Sequence, residues 1–258
     1  MLTKLKRDLY LFVYQKYFFA KKYDLNKDDI KIVRSLFKYG YYIINNYWSP
    51  SKCDKVKEQL DNFVSCNDSD LDFENGAYLR INRNKGLKND SGVSRIYHVD
   101  KMFEQLKCIR EDKRINNIIN AYYGYRMYST YIAFQRNELS QNETRDFHVD
   151  GFSPEFKTFL YLENVDMDNG PFCYISTSNK AHKKREKRIK SNNPSTSFTE
   201  EEIGSLLMNR KKVLCAPKGA LILADTLGFH RGLPQRKHTR SILFNNYFSK
   251  DTGFSPSK

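Results

Sequence analysis

Two of the five histidines stand in a spacing that carries chemistry. His148-Val149-Asp150 puts an imidazole and a carboxylate one residue apart at the end of a strand-like segment. Alternate residues of a strand point the same way, so both groups can face one point. His230 follows a second strand-like segment, 220–224. An imidazole from that neighbouring strand would complete two histidines and one carboxylate. That donor set is the facial triad, which leaves open positions on Fe(II) where an oxidant and a bidentate co-substrate can meet. His98-Val99-Asp100 repeats the H-x-D spacing, but it opens a helical segment, where residues i and i+2 diverge around the axis. It reads as a helix-start or surface histidine. Arg240 lies shortly after His230, at the start of the last strand. A guanidinium there could clamp a dicarboxylate whose other end chelates the metal, a task that suits arginine better than lysine. Taken singly, an H-x-D and an arginine in the basic 231–240 stretch are both commonplace.

The elements that must position these groups divide the chain into two halves. Residues 1–23 follow helical spacing through Leu2, Leu5, Leu9, Phe12, Val13 and Phe19, with Lys4, Arg7, Lys16 and Lys21 elsewhere. They predict a basic amphipathic helix (1–28 with its connection) that packs on its own domain or makes weak contact with a membrane surface. A helix from Asp28 to before Gly40, a strand over Tyr41–Ile44, and a helix capped by Ser49 or Ser51 with Val56, Leu60 and Phe63 inward come next. Residues 65–95 read as polar loops with one short strand near Tyr78, and 98–123 as helical. After Gly124 the period changes to two, starting with Met127 to Gln135. Further strands are predicted at 147–149, 158–162, 171–175, 213–216, 220–224 and 241–248, separated by Gly- and Pro-containing turns. The prediction is one domain over 1–258: a helical support layer at 35–124, and a β core at 125–248 interrupted by a basic lid-like insertion at 178–212.

Composition agrees with a folded protein. Eighteen Tyr and 18 Phe in a 40 % hydrophobic chain exclude disorder. No apolar run approaches the roughly 20 residues needed to cross a bilayer, and no secretory leader is read at the N-terminus. Five scattered Cys exclude a disulfide scaffold or zinc ribbon and suggest reduced thiols in a cytoplasmic location. The net charge of +14 suggests an anionic partner, with biased composition as the plainer explanation.

In combination, these segments resemble the phytanoyl-CoA dioxygenase-like family of Fe(II)/2-oxoglutarate oxygenases over residues 35–248. The resemblance rests on Gly40-Tyr-Tyr-Ile-Ile44, Phe147-His-Val-Asp-Gly151, the turn ending Asp168-Asn-Gly-Pro171, Ile175-Ser-Thr-Ser-Asn-Lys180, Lys218 to Asp225, His230-Arg-Gly232 and Arg240. Ser176-Thr177 stands where the family has Pro-Gly, Asn179 where it has His, and Phe147 where it has Trp. The resemblance implies a mainly β fold with flanking helices: a double-stranded β-helix (a cupin-like jelly roll) behind an N-terminal helical layer. It implies Fe(II) on His148, Asp150 and His230, and the distal carboxylate of 2-oxoglutarate on Arg240. Thr158 and Gln135 would line the co-substrate pocket. With O2, the reaction would release succinate and CO2 and oxidise a C–H bond. Hydroxylation is the default, because Asp150 fills the position whose loss admits a halide in related halogenases. The basic runs 180–190 and 231–240 would then ring the mouth and attract a small-molecule or carrier-linked anionic substrate.

Two other readings remain at this stage. A basic nucleic-acid- or glycan-binding β module would interleave cations with exposed aromatics, whereas the aromatics here alternate with small apolar residues. A catalytically silent cupin-like relative would keep the fold without the chemistry.

Overall fold

The computed structural model describes residues 20–82, 92–139, 146–191 and 194–249. Most of the expected N-terminal helix lies outside these residues, and only its last turn, Ala20–Lys22, is described.

Three longer helices form one layer. α1 (Lys27–Tyr39) starts on Asn26, which forms a capping box with Asp29, and ends on Gly40 in the left-handed region. α2 (Pro50–Ser65) takes Ser49 as its N-cap and Pro50 in its first turn, and buries Cys53, Val56, Leu60 and Val64. α3 (Lys113–Tyr123) runs from the Asp112 cap to Gly124 and buries Ile115, Ile118 and Ile119. Asp29 of α1 takes the Arg114 guanidinium of α3 at 2.7 Å, which fixes the two helices side by side.

The strands are β1 (Tyr41–Ile44), β2 (Leu71–Asp72), β3 (Tyr78–Asn82), β4 (Val93–Tyr97), β5 (Tyr128–Asn137), β6 (Phe147–His148), β7 (Glu155–Tyr161), β8 (Phe172–Ile175), β9 (Ser197–Phe198), β10 (Lys211–Leu214), β11 (Leu221–Asp225), β12 (His230–Gly232) and β13 (Arg240–Phe248). They make an eight-stranded sheet, β1-β11-β7-β13-β5-β4-β3-β2, and a five-stranded sheet, β10-β8-β12-β6-β9. All neighbours are antiparallel. The expected mainly β, two-sheet jelly roll with flanking helices is therefore present.

Period two sorts each strand between two cores. On the large sheet, Ile132, Phe134, Phe156, Leu160, Leu223 and Leu243 pack on the helices. Tyr131, Ala133, Tyr161, Ile222, Ala224, Ile242 and Phe244 turn inward with Phe172 and Tyr174 of the small sheet. The Tyr161 hydroxyl joins the sheets: it donates to the Leu214 carbonyl at 3.0 Å and accepts from the Phe172 amide at 3.1 Å. Fully buried rings such as Tyr161, Tyr174, Phe134 and Phe156 are core, so these aromatics offer no stacking platform for bases.

Two expectations change. The 65–95 stretch is more than loop with one strand. It builds β2, β3 and the start of β4, because Leu79 and Ile96 are fully buried against the helical layer despite polar neighbours. The support segment 35–124 thus supplies strands to both edges of the large sheet. The 178–212 insertion is a buttress. A helix, α4 (His182–Ile189), precedes β9, and β9 pairs with β6. Phe198 and Ile203 pack with Phe147, Val149, Ile175 and Phe229 on the outer face of the small sheet. Arg185 is 4 % exposed and donates to the carbonyls of Ser178, Asn179 and Leu227 at 2.7–3.0 Å. It is a structural clamp and no part of a solvated basic rim.

Replacing Ile118, which is wholly buried between α3 and the sheet, with alanine should cost about 2–5 kcal/mol. Urea unfolding should show a lower midpoint with an unchanged slope.

Candidate metal centre

β12 lies between β8 and β6, and its register sets His230 directly opposite His148. The connection from β11 to β12 fixes this pairing. The Asp225 carboxylate, at the end of β11, accepts from Tyr122 at 2.6 Å and from the Leu227 amide at 3.1 Å. Thr226 donates its amide and its hydroxyl to the Glu155 carbonyl, and its own carbonyl accepts the Asp150 amide at 3.3 Å. Phe229 donates its amide to the Ser178 hydroxyl at 2.7 Å. The Tyr174 hydroxyl, bonded to the Asp225 carbonyl, fills the space a side chain would need at Gly40 and Gly228. One braced turn thus carries both the H-x-D segment and His230.

His148, Asp150 and His230 consequently converge, with one donor atom from each lying within 4.8 Å of the others. Nε2 of His148 is 3.8 Å from one Asp150 carboxylate oxygen, and Nε2 of His230 is 3.6 Å from the other. The imidazole centroids are 4.4 Å apart. Nδ1 of His148 lies 3.2 Å from the Asp146 carbonyl, and Nδ1 of His230 lies 2.9 Å from the Gly228 carbonyl. A carbonyl can only accept, so each Nδ1 carries the proton and each Nε2 lone pair faces the triad, the arrangement that orients metal-binding histidines. Burial and the adjacent His230 hold the His148 imidazole down at about 4, so it is neutral near pH 7. Burial alone would push the Asp150 carboxyl up. Lys157 and the two imidazoles outweigh it and hold the group well below the usual carboxylate range. Asp150 Oδ2 is buried, with the Lys157 ammonium 2.9 Å away as its charge partner. Two imidazole nitrogens and an ionised carboxylate fit a divalent transition metal.

The triad lines a cavity of about 260 Å³ between the sheets. Phe159, Phe172 and Phe244 form its apolar wall. Arg240 lines it too, 4 % exposed, and no carboxylate lies within ion-pair distance of it among the described residues. One guanidinium nitrogen donates to the Gly170 carbonyl, another reaches Asn137 Oδ1 at 3.4 Å, and Nε has no partner. Burial lowers its affinity for the proton, offset in part by Tyr161 and Glu163. A buried cation without a counter-charge is costly, so the site suits a carboxylate. Gln135 faces the cavity, donating to Asn137 at 2.7 Å and accepting from Arg95 Nε at 2.7 Å.

Thr158 does not join them. It lies on the opposite face of β7, in register with Leu223 and Asn245, and points toward the helical layer; its neighbours Lys157 and Phe159 line the cavity. The strand was placed correctly in the sequence, but a shift of one residue changes the face. Sequence reasoning missed Lys157 and Asn137, although period two from Tyr161 and Gln135 points to both. His98 caps a short turn (Val99–Met102), and Asp100 pairs with Arg110 at 2.9 Å, so the second H-x-D is no part of the triad. No described residue of 178–212 lines the cavity.

No protein-family model matches the sequence, and no curated protein matches it. Solved structures do match in shape. The fold is that of 2-oxoglutarate-dependent non-heme enzymes. The epimerase SnoN of nogalamycin biosynthesis, described as non-heme and alpha-ketoglutarate dependent, is similar over 86 % of this chain and 82 % of its own, at 10 % identity and a TM-score of 0.60. HygX from Streptomyces hygroscopicus, solved with nickel and 2-oxoglutarate, is similar over 86 % and 87 %, at 13 % identity and a TM-score of 0.57. EctD from S. alaskensis, solved with bound Fe, is similar over 86 % and 76 %, at 12 % identity and a TM-score of 0.59. These matches bear out the cupin-like fold, and they do not assign the chain to the phytanoyl-CoA dioxygenase-like family. Among the described residues no helix is long and apolar enough to cross a membrane.

Proposed function

We propose that this chain is an Fe(II)/2-oxoglutarate-dependent oxygenase acting on a C–H bond of a small organic substrate. The observation that carries the reading is the convergence of two imidazole Nε2 atoms and one carboxylate in a cavity that also holds the Arg240 guanidinium, which has no carboxylate partner among the described residues. His148, Asp150 and His230 would hold the metal, and Arg240 the distal carboxylate of 2-oxoglutarate. Gln135 would keep Asn137 turned toward Arg240. The bound metal would supply the redox chemistry that couples oxidative decarboxylation of 2-oxoglutarate, with O2, to removal of hydrogen from the substrate. The protein's part is position and dryness: the phenyl wall excludes water, and backbone carbonyls fix both imidazole tautomers. Metal and 2-oxoglutarate in HygX, and iron in EctD, support the choice of cofactors.

Hydroxylation is one outcome of such chemistry. The neighbours include an epimerase and a carbocyclase, so the product decides. The test is succinate release by the Fe(II)-loaded protein in air across acyl-CoA, amino-acid, nucleotide and sugar panels. A product that gains one oxygen marks hydroxylation, an unchanged mass epimerisation, and loss of two hydrogens cyclisation. No succinate above a metal-free control under any condition would contradict the proposal.

A further inference from the structure

Lys157 has no part in the function proposed above, yet its ammonium lies beside the triad. It stands on the cavity face of β7 with its side chain 15 % exposed, 2.9 Å from Asp150 Oδ2 and 3.6 Å from Glu155 Oε1. We propose that Lys157 is the counter-cation of the metal-free triad and that, once a divalent metal sits on Asp150, it holds a carboxylate beside that metal. The inference rests on the metal-centre reading.

In the metal-free protein the ammonium neutralises the carboxylate that the metal needs. A metal on Asp150 claims that negative charge and adds positive charge a few ångströms from Lys157. Glu155 is the nearest remaining counter-charge, and it is shared with Asn246, whose amide donates to it at 2.9 Å. A buried ammonium facing a cavity with its partner withdrawn attracts a small anion. Metal and anion then favour each other, because each removes the penalty the other meets, and the coupling is reciprocal.

This anion is not the carboxylate assigned to Arg240. Lys157 is in register with Asn246, six positions along β13 from Arg240. At about 3.3 Å per residue, their positions along the sheet differ by about 20 Å of backbone, so the two side chains enter the shared cavity from different places. A carboxylate at Lys157 comes either from the keto-acid end of 2-oxoglutarate or from an acid group on the substrate.

The experiment titrates Mn(II), read by the loss of its free-ion paramagnetic resonance signal. It compares the wild type with Lys157→Met and Lys157→Gln, the second guarding against collapse of the wall in the first. Each is measured alone, with 2-oxoglutarate, and with 2-oxoglutarate plus acetate. Without a carboxylate, both variants should bind Mn(II) at least about tenfold more tightly than the wild type, since a cation beside Asp150 is gone. Added carboxylate should improve Mn(II) binding to the wild type about tenfold more than to the variants; the gain from chelation alone is common to all three. If the difference appears with 2-oxoglutarate, the keto acid is the occupant; if it appears only with acetate, a separate acid is. Variants that bind Mn(II) alone no more tightly, or equal gains in every arm, overturn the role of Lys157. A wild type that binds no Mn(II) in any arm overturns the metal centre itself, and this inference with it.

Discussion

His148→Ala should abolish Fe(II) binding and lower 2-oxoglutarate turnover at least about a thousandfold, beyond the 10–100-fold typical of losing an outer partner of a metal ligand. Its imidazole supplies one of three donors, and no other described histidine, cysteine or acid is grouped with them to replace it. The fold should tolerate the change. His148 is neutral near pH 7, its side chain is 32 % exposed, and its removal strands no buried charge. The β6–β12 pairing is a backbone interaction and survives. Anaerobic Fe(II) titration and succinate release, with thermal unfolding as the control, check the prediction. His98→Ala is the matched comparison: it has the same sequence spacing and lies outside the triad, so both readouts should keep wild-type values. Equal losses in the two variants would mean that the sequence spacing, and not the convergence, had been mistaken for a site.

The second large effect belongs to Arg240. Arg240→Leu should raise KM for 2-oxoglutarate about a hundredfold or more while changing kcat much less, since truncating one partner of a buried charge pair costs about 2–5 kcal/mol. Arg240→Lys should recover only part of this, because a point charge cannot reproduce the guanidinium fork that also reaches Gly170 and Asn137. The split readout matters. A 2-oxo acid without a distal carboxylate gains nothing from Arg240 and should be used equally poorly by the wild type and the leucine variant. If the variant loses both acids alike, Arg240 supports the wall and binds no carboxylate.

The residues that make these predictions possible were legible in the sequence to different degrees. His148, Asp150 and His230 stood out because chemistry needs those types, and the change of period after Gly124 placed them on strands. Gln135 followed from the same alternation, which also makes Asn137 its neighbour on that face. Thr158 failed on one residue of phase. In a strand with both faces buried, Phe156, Leu160, Phe159 and Tyr161 are all apolar, and hydrophobicity cannot tell cavity from helical layer. Arg185 failed for another reason. Within a run of seven basic or polar residues, 182–188, it looks solvated, and only the three backbone carbonyls of Ser178, Asn179 and Leu227 that accept from it explain its burial. The β2–β4 extension was hidden by its polar neighbours. Period two from Tyr161 puts Lys157 on the cavity face, but its place beside Asp150 depends on packing one sheet on the other, which no local pattern encodes.

The central claim is that one ion can be held by His148, Asp150 and His230 while 2-oxoglutarate chelates it. Anaerobic protein mixed with Fe(II) and 2-oxoglutarate should develop a visible metal-to-ligand charge-transfer band with one iron per chain, and the band should be absent from His148→Ala. A wild type with no band at saturating Fe(II) and 2-oxoglutarate, or a His148→Ala protein with an undiminished one, would contradict the account.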